Sequence, residues 1–366
     1  MKRREFFKSA SVATIGAAAA TTLAAPAIAQ GNINWRMVTT WPKNFPGLGV
    51  GAQTLADRIT EASGGRLTVQ VYAAGEMVPG LQALDAVIDG SAEMSHGTPY
   101  YWQNKSQALS FFTGVPFGMT NRELTAWVRY LGGQEIWDKV YDQFGVQGFL
   151  SGDTGTQAGG WFRNELTGVS DIQGLRFRTP GLGGQVWAKL GASVTNLAAG
   201  EIFAALQSGT LDAAEFVGPY NDLALGFYQI AKNYYFPSFV EPGLATELVV
   251  DKAKFAELPE DLQEIVRVCA QSAYDQVSSD MYANDPRALN ALVSEHGVQV
   301  RQFPEEIVEA GAKASMELMA EIREGGDALT KETAESFVAA FNLLRTRTKD
   351  TDMAYLAARE KYITFD

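Results

Sequence analysis

Two oppositely charged side chains stand where a predicted sheet would bring them together. Arg178 ends the short segment Arg176–Arg178, and Glu215 lies in the predicted strand Asp212–Val217. Helices alternate with these strands, as in open α/β sheets, which hold their ligands at the carboxyl ends of the strands. Because no nucleophile–base pair accompanies the two charges, the pattern favours a binding site over a reaction centre.

The chemistry of each charge leaves alternatives open. The guanidinium of Arg178 offers two parallel donors that match a carboxylate, and each such bond contributes about 1.5–3 kcal/mol. An arginine in a strand also often forms a structural ion pair. Glu215 has apolar neighbours, and an unpaired buried charge is very costly. Its partner is therefore either an arginine or a metal ion.

Two more side chains offer oxygen atoms that suit a cation. Gln157 has a neutral carbonyl oxygen, and Glu241 has a second carboxylate. Ligands that are all oxygen suit a hard cation such as sodium or calcium, and not zinc. The D-x-D-x-D-G loop typical of calcium sites does not occur in the sequence, and its two histidines lie far apart, at positions 96 and 296.

The segments around both charges resemble a known family. GLRFRTPG (residues 174–181), followed by LQSGTLDAAE (residues 206–215), resembles the DctP-type solute-binding receptors of TRAP transporters. These periplasmic proteins capture small organic acids and deliver them to a membrane permease, and the resemblance extends over essentially the whole mature chain. Residues 152–164 and 213–222 are most similar to receptors for 2-oxo or 2-hydroxy monocarboxylates, which hold their ligand through a bound cation.

The resemblance implies a role for each residue of the site. Arg178 would hold the carboxylate of the acid, with Gln157 and Phe216 as further ligand-binding residues. A cation would be held by Gln157, Glu215, Glu241 and the backbone oxygen of Phe216, and sodium is favoured over calcium. At the position of Phe216 we expect Trp in the most similar receptors. The change keeps the carbonyl oxygen but removes an indole N–H.

An aromatic cluster, Tyr100–Trp102, follows the predicted strand around Glu93–His96. Aromatic residues at this spacing commonly belong to a core, but a tyrosine hydroxyl at a strand end is also able to close a cleft over a small acid. We assign this ligand-binding role to Tyr101.

The alternation of strands and helices predicts an α/β fold, and the resemblance implies the two lobes of a type II-like periplasmic binding protein. A mature chain of 337 residues is too long for one core and suits two. Lobe I is predicted to comprise residues 30–153, completed by about 244–290. Lobe II is predicted to comprise residues 154–243, completed by long C-terminal helices in about 291–366 that span the lobes.

The C-terminal third shows little strand signal, and residues 121–144 predict a single helix. Helices predicted at residues 305–324 and 334–346 carry apolar side chains in excess. Because the resembled group includes receptors that exchange a long helix between subunits, we predict a homodimer.

Residues 1–29 have the features of an export signal. A basic start that includes Arg3-Arg4-Glu5-Phe6-Phe7-Lys8 resembles a twin-arginine signal, an apolar run follows, and Ala27-Ile28-Ala29 is an A-x-A cleavage site. The mature protein is therefore predicted to begin at Gln30 and to function in the periplasm.

Charge and composition exclude several classes of function. The net charge is −12 for the whole chain and −15 without the basic signal, which argues against nucleic acid or anionic lipid as partners. A single cysteine, Cys269, permits no internal disulfide. No catalytic motif occurs in the sequence, and the resemblance implies a receptor for a 2-oxo monocarboxylate such as pyruvate, so we predict this receptor and not an enzyme. A receptor for lactate, a dicarboxylate or a sugar acid, and an exported enzyme acting on a small acid, remain alternatives.

Overall fold

The computed structural model describes residues 32–365, in which two β-sheets are covered by helices. The predicted export signal lies outside the described residues. In chain order the strands are β1 (Ile33–Thr39), β2 (Leu67–Tyr72), β3 (Met94–Gly97), β4 (Val146–Asp153), β5 (Gly160–Phe162), β6 (Arg176–Arg178), β7 (Ser193–Thr195), β8 (Ala213–Ala214), β9 (Asn233–Phe236), β10 (Ala245–Asp251) and β11 (Gln299–Gln302).

The same residues form helices of very different lengths, and a 3₁₀ turn, Pro99–Trp102, follows β3. The helices are α1 (Leu48–Ala62), α2 (Ala83–Ile88), α3 (Asn121–Tyr130), α4 (Gly133–Asp142), α5 (Gly181–Lys189), α6 (Ala199–Gln207), α7 (Pro219–Leu225), α8 (Lys252–Glu257), α9 (Glu260–Ser294), α10 (Glu305–Gly325), α11 (Ala328–Arg347) and α12 (Ala354–Tyr362). Within residues 32–365 no helix combines the length and the hydropathy that a membrane span requires.

The first sheet has the strand order β2-β1-β3-β10-β4. Strands β1, β2 and β3 are parallel, whereas β10 is antiparallel to both β3 and β4. In β1 the side chains of Trp35 and Met37 are buried and Asn34 is exposed, which is the alternation expected of a strand with one face in a core.

The second sheet has the strand order β11-β9-β5-β8-β6-β7. Strands β6, β7 and β8 are parallel neighbours, so their carboxyl ends meet at one edge. Arg178 is the last residue of β6, and Glu215 directly follows β8. The sheet therefore brings these two residues to the same edge.

Two neighbouring strands of the first sheet connect it with the second. β4 ends at Asp153, which pairs with Ala245 at the start of β10, and the intervening chain forms strands β5 to β9 of the second sheet. The 35-residue helix α9 packs against α1, against β4 and against α7, the helix that follows β8. It therefore contacts the elements of both sheets. The residue boundaries of the two lobes stay a prediction.

Three sequence expectations about single elements were wrong. Residues 121–144 form two helices, because Gly132 adopts a left-handed conformation (φ 86°) that ends α3 and starts α4. The strand expected at residues 212–217 is only Ala213–Ala214, since α7 begins as early as Pro219. The C-terminal third contributes β11, a largely exposed edge strand in which Val300 stands alone among polar residues, so no hydrophobic alternation indicated it.

Two carboxyl groups lie deep in the protein. Glu247 on β10 and Asp222 on α7 are 0% and 1% exposed, and burial raises the pKa of each to about 7. The corresponding ordinary values are 4.5 and 3.8. The folded state binds these protons more tightly than the unfolded state. Each carboxyl group therefore contributes its full stabilisation of the folded protein at pH values below its ordinary pKa. This stabilisation is lost as the pH rises through about 7.

We therefore expect the free energy of unfolding of the cation-free, acid-free protein to be larger at about pH 5.5 than at about pH 7.5. Urea denaturation at the two pH values measures the difference. Glu247→Gln, which cannot ionise, should make the difference smaller. Equal or greater stability of the wild type at the higher pH would contradict the expectation.

Candidate functional site

Arg178 is completely buried at the edge of the second sheet. Its Nη1 donates to the backbone oxygen of Glu215 at 2.6 Å, and its Nε donates to the backbone oxygen of Leu197 at 3.1 Å. The Arg178 carbon Cζ also lies 5.3 Å from the centre of the Phe216 ring. These contacts fix the plane of the guanidinium without neutralising its charge.

The second terminal nitrogen of Arg178 is poorly satisfied. Nη2 has two partners, the hydroxyl of Tyr101 and the side-chain oxygen Oδ1 of Asn196, both at 3.5 Å. Hydrogen bonds of that length are weak. The nearest carboxylate oxygen, Oε2 of Glu215, is 3.8 Å from Nη1. A buried guanidinium with a free donor edge is suited to a small carboxylate ligand.

Glu215 and Glu241 form a pair of buried carboxyl groups next to Arg178. They are 0% and 1% exposed, and the Oε2 atom of each is buried without a hydrogen-bond partner. Burial raises the pKa of Glu215, although the charge of Arg178 opposes the effect. Burial and the neighbouring charge of Glu215 raise the pKa of Glu241 further. Two ionised carboxylates would be stable here only with additional positive charge.

Gln157 completes a cluster of oxygen atoms. With its Nε2 donating to Thr154 Oγ1 at 2.9 Å, the amide oxygen faces Glu215 Oε1 and the carbonyl oxygen of Phe216. If the amide is turned over, its nitrogen instead donates to these two oxygens at 2.8 and 3.1 Å. The second orientation satisfies these atoms without a cation, whereas the first would present three oxygens to a bound cation. Oxygen-only donors fit sodium or calcium.

The aromatic turn Pro99–Trp102 approaches the site from the first sheet. Tyr101 reaches Arg178, and the ring of Tyr100 packs against Gly181 at the start of α5. Gly181 has φ 62°, and an added Cβ would lie 2.4 Å from a carbon of the Tyr100 ring. Glycine is therefore needed here for both its conformation and its size. The site thus has walls from both sheets.

The structure brings all six sequence-predicted residues together. They are linked by contacts or by direct electrostatic influence, and the assignment of ligand or metal roles to them stays a prediction. The six residues are Arg178, Gln157, Phe216, Tyr101, Glu215 and Glu241.

Sequence reasoning missed two polar residues of the site. Thr179 directly follows β6, and its buried Oγ1 has no hydrogen-bond partner. Asn196 directly follows β7 and accepts from Arg178. They lie at the carboxyl ends of the parallel neighbours β6 and β7, so the rule that pointed to Arg178 would have found them once β7 was placed beside β6.

Comparison with known proteins identifies the family. Residues 37–325 match the bacterial extracellular solute-binding proteins of family 7, the DctP family. The chain belongs to this family. The resemblance predicted from the Arg178 and Glu215 segments is thereby confirmed.

Individual relatives are similar over most of their length. The chain is 40% identical to a monocarboxylate 2-oxoacid-binding periplasmic protein of Nostoc sp. over 343 residues, which is 93% of each protein. A TRAP periplasmic solute-binding protein from Pseudoalteromonas atlantica, crystallised with sodium and pyruvate, is 39% identical with a TM-score of 0.87, over 89% of this chain and 99% of that one.

A corresponding protein from Colwellia psychrerythraea, crystallised with calcium and pyruvate, is also 39% identical, with a TM-score of 0.86 over 90% of this chain and 100% of that one. These similarities confirm the α/β fold predicted for a two-lobe periplasmic binding protein with long helices. They also confirm the predicted class of function, a solute-binding receptor of TRAP type.

Proposed function

We propose that this receptor captures a small 2-oxo monocarboxylate such as pyruvate through Arg178 and a bound cation, and delivers it to the membrane permease of a TRAP transporter. The observation that carries the proposal is the fully buried guanidinium with a free donor edge beside two buried, partnerless carboxylate oxygens. The solved relatives that hold pyruvate with sodium or calcium support it. Binding without turnover is the function that such a site serves.

The balance of charge favours one carboxylate on the ligand. Among residues 32–365, Arg178 is the only Lys or Arg side chain that is buried. A dicarboxylate or a sugar acid with a second anionic group would require a second fixed positive charge. A monocarboxylate held by Arg178, together with a cation held by Glu215 and Glu241, would satisfy the buried guanidinium and the acidic pair together.

A panel of small acids distinguishes a 2-oxo monocarboxylate from a 2-hydroxy acid or a dicarboxylate as the ligand. Thermal unfolding of the mature protein in sodium buffer should show stabilisation by pyruvate and 2-oxobutyrate, reaching about 2.7 kcal/mol at a hundred times the dissociation constant. Propionate has the carboxylate but no 2-oxo oxygen, so it should stabilise far less. Lactate tests the 2-hydroxy alternative and succinate the dicarboxylate. A larger effect of succinate than of pyruvate would overturn the proposed ligand.

We propose sodium as the cation, as expected from the family resemblance, and the donors offered by Gln157, Glu215, Glu241 and the Phe216 carbonyl are all oxygen, which suits a hard cation. The same donors also suit calcium, so the panel is repeated with potassium in place of sodium and with a chelator of divalent ions. Loss of acid binding in potassium supports sodium, and loss with chelator supports calcium.

We further propose that the segments of the two sheets act as the predicted lobes, residues 30–153 with 244–290 and residues 154–243 with 291–366. The acid would draw them together because its contacts come from both. Export to the periplasm by the twin-arginine-type signal in residues 1–29 is part of this proposal.

A homodimer is the final part of the proposal, and the C-terminal helix supports it. No residue of α12 is buried: its Tyr355 and Tyr362 are 66% and 71% exposed, and Phe365, just after the helix, is 95% exposed. Exposed aromatic residues on a helix at the end of the chain suit an interface with a second copy.

Sedimentation of the mature protein at micromolar concentration is expected to give twice the monomer mass. Deletion of residues 349–366 should give a monomer that still binds the acid, because these residues are mostly exposed and lie outside the site. A wild-type monomer at this concentration would refute the dimer. A dimer that survives the deletion would place its interface elsewhere.

A further inference from the structure

The buried acid Glu247 lies behind the site on the side of the first sheet. Its Oε1 accepts a hydrogen bond from the indole Nε1 of Trp102 at 2.8 Å, and its Oε2 accepts one from the hydroxyl of Tyr141 at 2.6 Å. All three side chains are at most 1% exposed. Glu247 therefore has a donor for each oxygen and no cation among these partners.

A carboxyl group is an expensive way to fill this position. Burial disfavours its charged form, and an apolar side chain of similar length would avoid the cost. Burial of the two donors does not explain the presence of an acid, since a tyrosine hydroxyl and an indole are each less costly to bury than a carboxylate. The carboxyl group of Glu247 adds a strong hydrogen-bond acceptor at a fixed position on β10.

The residue that Glu247 holds belongs to the aromatic turn Pro99–Trp102. Trp102 is the last residue of this turn, and its ring packs edge-on against Tyr101 with centroids 6.2 Å apart. The other end of the turn is held by Thr113, whose Oγ1 accepts from the backbone N–H of Tyr100 at 2.9 Å. Between these two anchors stands Tyr101, which contacts Arg178.

We propose that Glu247 is a positioning residue for the acid site: by holding the Trp102 indole it fixes the turn that brings the Tyr101 hydroxyl to Arg178. The role rests on the proposed function, in which Arg178 binds the acid. Glu247 itself touches neither Arg178 nor the cluster of oxygens around Gln157.

The other half of the site has the same arrangement, which supports a common purpose. Asp222 on α7 accepts from the indole of Trp161 at 2.9 Å and from the hydroxyl of Tyr234 at 2.7 Å. Helix α7 begins three residues after Phe216. Behind the part of the site that each sheet contributes, a buried acid thus accepts hydrogen bonds from one tryptophan and one tyrosine.

Four variants of the mature protein test the role of Glu247. Glu247→Met removes the acceptor and keeps a side chain of similar length, whereas Glu247→Gln keeps an oxygen for the indole. Trp102→Phe removes the same hydrogen bond from the other side. Tyr141→Phe is the matched control, since it takes a donor from Glu247 and leaves the turn untouched.

Calorimetry with pyruvate should show that Glu247→Met and Trp102→Phe each lower the affinity about tenfold. A tenfold loss is at the lower end of the range seen when a residue that orients a ligand-binding group is replaced. Their double variant should lose no more than either alone. Glu247→Gln and Tyr141→Phe should stay within about threefold of the wild type. Wild-type affinity in both Glu247→Met and Trp102→Phe would overturn the proposal, as would equal losses in all four variants. Should Glu247→Met fail to fold, Trp102→Phe still breaks the same bond.

Hydrogen exchange of the acid-free protein provides a measurement that does not need the ligand. The amides of Tyr101 and Gln103 donate within the turn, to Thr98 and Tyr100. Their protection should fall in Glu247→Met and Trp102→Phe but not in Glu247→Gln. If wild-type protein does not bind pyruvate, the proposed function fails, while this exchange pattern alone decides whether Glu247 holds the turn. Unchanged protection in all variants would overturn the positioning role.

Discussion

Arg178→Ala is expected to weaken pyruvate binding roughly thirtyfold to several thousandfold. The loss corresponds to about 2–5 kcal/mol, the usual effect of truncating one partner of a buried charge pair. It should be large because Arg178 is the only buried Lys or Arg side chain in residues 32–365, so no other such side chain stands ready to replace it. Calorimetry of pyruvate binding in sodium buffer measures the loss.

The cation should respond differently to the same change. Arg178 donates to the backbone oxygens of Glu215 and Leu197 and is not itself a candidate cation ligand. The sodium concentration that gives half-maximal acid binding should therefore change much less than the acid affinity. Arg178→Lys should recover only part of the acid affinity, because a lysine offers a point charge in place of two parallel donors.

Arg176→Ala is the matched control for this experiment. Arg176 lies two residues earlier on β6, but its side chain is exposed and pairs with Asp212. Exposed pairs of this kind contribute about 0–1 kcal/mol, so the affinity for pyruvate should be unchanged. An equal loss in both variants would mean that charge on β6 acts at long range, and full affinity in Arg178→Ala would remove Arg178 from the site.

Much of the fold was predictable because its elements have simple patterns. Strands β1 and β10 have continuous or alternating apolar residues, and glycines follow α1 and α6 where those helices end. Some strands of two to four residues, among them β8 and β11, were misjudged or missed, since so few residues carry no periodicity. Their positions depend on the neighbouring strands with which they pair.

The site was predictable in part, for a related reason. Arg178 and Glu215 are conspicuous because they are charged residues in apolar segments at strand ends. Gln157 and Glu241 lie in loops, and although their oxygen atoms suit a cation, it was the family resemblance that assigned them to the same site as Glu215. No local pattern indicates that Glu247 and Asp222 are buried between a tryptophan and a tyrosine, because the partners come from distant parts of the chain.

Glu215→Gln is expected to weaken both cation and acid binding. If a cation joins the acid to the carboxylates, each is part of the other's site, and loss of one carboxylate ligand should lower both affinities by at least about tenfold. The glutamine keeps the shape of the side chain, so the effect reports on charge. Calorimetry with pyruvate across a series of sodium concentrations measures both. Glu61→Gln, on the exposed face of α1, is the control and should change neither.

The stability of the cation-free protein distinguishes this role from a structural one. Glu215 is buried next to Glu241, and its Oε2 is 3.8 Å from Arg178 Nη1 without a hydrogen bond. If Glu215 serves the cation, removing its charge relieves repulsion, and the free energy of unfolding without cation should stay the same or rise. If Glu215 serves mainly as the partner of Arg178, Glu215→Gln and Arg178→Ala should lower that free energy alike. Wild-type affinity for pyruvate would then be independent of sodium and chelator, and the cation would have no part in binding.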